Sequence, residues 1–78
     1  MLPKGLHLYV ADIIDVQRQQ QTIWYVVAKT YNSALKRFLK EANRVWHIYE
    51  YYFFEADDEI VQDFEDSNDS IKAGIYET

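Results

Sequence analysis

One face of an amphipathic helix constrains this chain more than any other feature. Tyr31, Ala34, Leu35, Phe38, Leu39 and Ala42 fall at i, i+3, i+4, i+7, i+8 and i+11, which is the period of a helix with a single apolar stripe. Such a stripe has to be buried against another layer. The sequence on either side of it supplies a sheet. Residues 6–14 (LHLYVADII) alternate, with Leu6, Leu8, Val10 and Ile14 to one side and His7, Tyr9 and Ala11 to the other, which predicts a half-buried strand. Residues 22–29 (TIWYVVAK) are β-branched and aromatic, a second strand. The polar stretch 15–21 (DVQRQQQ) contains no tight-turn dipeptide, so the hairpin connection is expected to exceed two residues. Thr30 is a favourable N-cap for a helix over residues 31–43, and Asn43 a plausible stop.

A third strand is predicted over residues 45–55, rich in Tyr and Phe on both faces. One face meets the helix. The other calls for a partner or a second copy, and Tyr49, Tyr51 and Phe53 form the candidate dimer face. Asp57 or Asp58 can cap a second helix through Asp66, with Ile60, Val61 and Phe64 inward. The alternation Ile60, Gln62, Phe64 also fits a strand hairpinned through residues 56–58; the acidic caps favour the helix. Residues 70–73 suit one further turn ended by Gly74, with Ile75 and Tyr76 docking that end. The expected architecture is α+β. A β-β-α-β core over residues 6–55 forms a small antiparallel sheet with one helix on it, and residues 56–78 form an acidic extension, all in a single small domain.

At 78 residues the chain can bury only a modest core. Large rings compensate, each burying roughly 150–250 Å², and self-association is a natural way to cover the remaining apolar surface. Cysteine is absent, which excludes disulfides and thiolate metal sites. The beginning of the sequence does not resemble a signal peptide, and its apolar runs are too short to span a bilayer; both features favour a soluble cytoplasmic protein.

Enzymatic chemistry is poorly represented. The serines Ser33, Ser67 and Ser70 lack a nucleophile context, and Gly5 and Gly74 cannot build a phosphate loop. His7 and His47 fall in predicted strands without metal-ligand spacing, where a structural role is the simpler reading. Asp57, Asp58 and Glu59 lack the alternation of a calcium loop. The expectation is a non-enzymatic protein without cofactor or metal.

Charge carries the functional signal. Residues 1–48 hold seven Lys and Arg against three Asp and Glu, whereas residues 49–78 hold one against ten. Within 55–69 lie Glu55, Asp57, Asp58, Glu59, Asp63, Glu65, Asp66 and Asp69, with no Lys or Arg among them. Proteins that bind duplex DNA grip its phosphates through Lys and Arg. An ordered scaffold that repeats dense carboxylates can occupy the same basic grooves, so these eight residues are the candidate partner-binding set. The alternative is a solvated face that keeps an aromatic domain soluble. Lys36, Arg37, Lys40 and Arg44 lie on the helix away from its apolar stripe. They suit either the negative end of the helix dipole or contact with phosphates. The acidic half argues against direct nucleic-acid binding.

The junction VVAKTYNSALKRFLKEA, a strand passing through a Thr cap into an amphipathic helix, resembles small phage-encoded host-takeover proteins, including inhibitors of host RNA polymerase and of CRISPR complexes. With its acidic extension, the chain is most similar to the DNA-mimic members, among them inhibitors of the bacterial nucleoid protein HU. That resemblance implies a homodimer in the host bacterial cytoplasm that competes with DNA for a basic nucleic-acid-binding host protein.

Overall fold

The computed structural model describes residues 1–77. Its elements run β1 (His7–Asp15), β2 (Gln20–Ala28), α1 (Tyr31–Val45), β3 (Tyr49–Glu55), α2 (Asp58–Ser67) and β4 (Gly74–Glu77). Among the described residues the strands form one antiparallel sheet in the order β3-β1-β2-β4, so the α+β class expected from the sequence holds. No helix among these residues is long and apolar enough to cross a membrane.

The β1–β2 hairpin is closed by an aspartate. Asp15 Oδ1 accepts from the backbone N–H groups of Gln17 at 3.1 Å and Arg18 at 3.2 Å, while its carbonyl accepts from Gln19 N–H at 2.7 Å. Gln19 takes a φ of 55°, in the left-handed region. The aspartate's bonds to its own turn hold it closed, while Gln19 takes the positive φ that a glycine would otherwise supply.

β1 is buried on both faces, not on one. Tyr9, Ala11 and Ile13 join Trp24, Val26, Ala28 and Phe53 beneath Ala34, Phe38 and Ala42 of α1. On the reverse face Leu8 and Val27 pack with Phe64 of α2 and with Ile71. Side chains alternate along a strand, so the two helices cover opposite faces of the sheet. An inner strand covered from both sides loses the contrast that marks a half-buried one.

The boundaries of α1 follow from its hydrogen bonds. Thr30 Oγ1 accepts from Ser33 N–H at 3.1 Å, and Ser33 Oγ accepts from Thr30 N–H at 3.3 Å, a reciprocal capping box. At the far end the helix passes Asn43 and continues to Val45, so β3 begins at Tyr49 and not at residue 45. Asn43 is not the stop, and its Oδ1 accepts the Tyr49 hydroxyl at 2.8 Å, tying α1 to β3.

Residues 59–66 are helical. Asp57 Oδ1 accepts from Ile60 N–H at 2.9 Å as the N-cap. Phe64 sits against Tyr25 and Tyr76, with ring centroids 5.3 and 5.1 Å away. The turn expected to end at Gly74 is absent. Gly74–Glu77 instead pairs with β2, from Val27↔Gly74 to Trp24↔Glu77, so these four residues belong to the sheet and not to an extension. β2 would otherwise be an open edge, and pairing satisfies its backbone groups.

The alternation of β3 predicts a stability contrast. Phe53 is 9% exposed and Phe54 39%. Phe53→Ala should destabilise the fold by about 3–5 kcal/mol in urea unfolding, whereas Phe54→Ala should cost roughly 1 kcal/mol or less. Equal losses would contradict the register of this strand.

Candidate functional site

The eight acidic residues run from the end of β3 through α2 into the loop after it, and they divide by what each does there. Asp57 is the cap of α2, and Asp58 and Glu59 occupy its first turn, where negative charge is favoured by the helix dipole. Glu65 is half-buried, and its Oε2 accepts from Leu2 N–H at 2.6 Å, holding the start of the chain against the second core. Glu55 ends β3 with Oε2 3.7 Å from His7 Nδ1, both side chains well exposed. Five of the eight therefore have local roles.

Asp63, Asp66 and Asp69 do not. Asp66 receives only the amide of Gln62, one helical turn away, at 2.9 Å. Asp63 and Asp69 are exposed, with no hydrogen-bond or ion-pair partner among the described residues. The last turn of α2 carries no basic residue, so Asp66 sits at the negative end of the helix, where a carboxylate is unfavourable. Ile60, Val61 and Phe64 turn inward, leaving Asp58, Glu59, Asp63 and Asp66 along the outer side. The ten residues of α2 include five acids, Asp58, Glu59, Asp63, Glu65 and Asp66. At 1.5 Å per residue that is one carboxylate per roughly 3 Å of axis, close to the roughly 3.4 Å per charge of one DNA strand.

The basic set lies on the other side of the molecule. Lys36, Arg37 and Lys40 are exposed on α1 and have no ion-pair partner among the described residues, while Arg44 pairs with Glu41 at 3.1 Å. The sheet separates the two charged helices. Its molecule measures 37 × 21 × 19 Å, and charges across its thickness lie well beyond a Debye length of about 8 Å at physiological salt.

The proposed dimer face is corrected in part. Tyr49, Tyr51 and Phe53 all point toward α1. Phe53 is in the core, stacked on Phe38 at 5.4 Å, and is closed to a partner. Tyr49 is half-buried and bonded to Asn43, and Tyr51 lies edge-on to Phe38 with part of its ring exposed. The rings that face solvent on the opposite side of β3 are Tyr52 and Phe54, near Ile14. A strand aromatic at consecutive positions gives no phase from sequence. Burial, then the repulsion of Tyr51, raises the Tyr49 hydroxyl above its usual pKa, and burial, then the Glu55 charge, does the same for Tyr9.

Among the described residues no group of three or more His, Asp or Glu side chains is placed to hold a metal ion. His7 is exposed on β1, and His47 lies in the loop before β3 and not within a strand. A groove between α2 and β4, lined by Tyr25, Asp63, Phe64, Ser67, Asn68, Tyr76 and Glu77, was not legible in the sequence. The short alternation Ile75, Tyr76, Glu77 was its only signal. Comparison with protein-family models, curated proteins and solved structures finds no match for the chain.

Separate roles within the acidic set predict separate effects on stability. Asp57→Ala should cost about 1 kcal/mol through loss of the cap. Asp66→Asn should leave stability unchanged or raise it by about 0.3–1 kcal/mol. Chemical denaturation of the two variants measures both, and a destabilising Asp66→Asn would assign that carboxylate to the fold.

Proposed function

We propose that the chain is a non-enzymatic inhibitor whose acidic segment, residues 55–69, occupies the nucleic-acid-binding surface of a basic host protein and excludes DNA from it. The observation that carries this reading is the outer side of α2. It holds four carboxylates, one per roughly 4 Å of axis and so near the spacing on a DNA strand, on a helix fixed by a buried ring, and some of them have no part in the fold. The opposing sign on α1 lies across the sheet and beyond screening distance, so it does not neutralise the ridge. The resemblance to phage-encoded DNA mimics makes an HU-like nucleoid protein the first target to try.

The test uses purified HU-type protein and a bacterial lysate over the immobilised chain, with stepped salt and competing duplex DNA. Captured protein should be basic and released by both salt and DNA. The combined variant Asp58→Asn, Glu59→Gln, Asp66→Asn and Asp69→Asn, which spares the Asp57 cap and the Glu65 tether, should lose capture while remaining folded. Capture indifferent to DNA, or unchanged in the variant, overturns the proposal.

The unpaired Lys36, Arg37 and Lys40 favour a second reading, direct contact with nucleic acid through α1. It requires retardation of DNA or RNA in a gel shift at low salt, weakening as salt rises. The leading reading expects none.

A further inference from the structure

The groove between the C-terminal half of α2 and β4 borders the outer side of α2 at Asp63 and adds aromatic rings that the outer side lacks. Three rings line it. Phe64 is buried at its base, flanked by the half-buried Tyr25 (ring centroids 5.3 Å apart, planes at 47°) and Tyr76 (5.1 Å, 88°). Its volume is about 310 Å³. Asp63 from α2 and Glu77 from β4 stand at opposite walls, and neither has a hydrogen-bond or ion-pair partner among the described residues. No Lys or Arg lines the groove.

Two of the polar groups beside the rings are already engaged. The Tyr76 hydroxyl accepts from Lys72 N–H at 2.9 Å and donates to Lys72 carbonyl at 3.1 Å. The Asn68 amide donates to Phe64 carbonyl at 2.8 Å, closing the end of the helix. The unengaged carboxylates are acceptors. They lie beside the C-terminal half of a helix whose last turn holds no cation. Aromatic faces, two free carboxylates and a helix C-terminus each favour positive charge.

We propose that this groove seats one arginine side chain of the basic partner, its methylene stem across Tyr25, Phe64 and Tyr76 and its guanidinium between Asp63 and Glu77. Arginine fits better than lysine, because a planar guanidinium stacks on rings and reaches two carboxylates with fixed forks, while a compact ammonium keeps its water. This inference rests on the reading of α2 as a protein-binding surface. It adds a shape-selective anchor to what would otherwise be a charge-only contact.

The experiment titrates the isotopically labelled chain, followed by NMR, with two short peptides of equal charge, one alternating arginine with glycine and the other lysine with glycine. The arginine peptide should bind about fivefold tighter and shift the ring signals of Tyr25, Phe64 and Tyr76. The double variant Asp63→Asn and Glu77→Gln, both at surface positions, should bring the arginine peptide down to the lysine level with the amide spectrum still dispersed. The ridge variant Glu59→Gln and Asp66→Asn should weaken both peptides alike and preserve the preference. Equal binding of the two peptides by the unaltered chain, or a preference that survives Asp63→Asn and Glu77→Gln, overturns the groove and leaves the ridge reading standing. A preference unaffected by the ridge variant, with no loss of affinity, keeps the groove and removes the ridge. Binding of neither peptide overturns both.

Discussion

Phe38 is the contact on which the rest of the structure depends. Its ring is fully buried, stacked on Phe53 at 5.4 Å and 13°, and set edge-on to Trp24 at 6.1 Å and to Tyr51 at 5.3 Å. These neighbours come from β2 and β3, which do not touch each other because β1 lies between them. One helical side chain therefore clamps α1 to both sides of the central strand. Rings extend the cluster outward, through Trp24 to Trp46 at 4.8 Å and through Phe53 to Tyr9 at 5.9 Å. In so short a chain this is an efficient use of residues. A ring that buries roughly 150–250 Å² contributes on the order of 4–6 kcal/mol of gross burial, against a typical net stability of ~5–15 kcal/mol.

A sheet fixed so firmly from one side needs less from the other. α2 docks through Phe64, with Ile60 and Val61 beside it, and covers only part of the reverse face, leaving Tyr52 74% exposed. The outer side of α2 is thereby freed from packing and carries charge instead. The division follows from the order of elements: α1 and α2 lie on opposite faces, so the basic helix and the acidic helix stand on opposite sides of the sheet. Their separation in sequence becomes a separation in space that salt screens.

The sequence was most legible where local rules and tertiary packing agree. The stripe from Tyr31 to Ala42 and the Thr30 cap placed α1, because a period of 3.6 with a polar start has few other solutions. α2 was harder, since Ile60, Gln62 and Phe64 satisfy a strand as well as a helix, and the Asp57 cap decides between them. β1 looked half-buried because a second helix over its reverse face cannot be inferred from the strand itself. β4 was missed for want of length, its four residues pairing only because β2 offers a free edge. At the candidate site the acids were visible but their roles were not. Asp57 and Glu65 look like Asp63 and Asp66 in sequence, and only their hydrogen bonds distinguish cap and tether from free carboxylate. The phase of the rings in β3 needed the register against β1, since Tyr51, Tyr52, Phe53 and Phe54 present apolar character to both sides.

That distinction bears on whether the ridge merely solvates the domain. A solvating face works best with both signs interspersed, and at the C-terminal end of a helix lysine or arginine would both solvate and complement the dipole. α1 follows that rule, with Arg44 in its last turn paired to Glu41. α2 breaks it, placing Glu65 and Asp66 in its last turns with no basic residue there and Asp69 beyond. The two helices share a chain and a solvent, so solubility alone does not account for opposite treatment of their negative ends. The proposed basic partner would account for it, because a cation in that turn would compete with that partner for the same carboxylates.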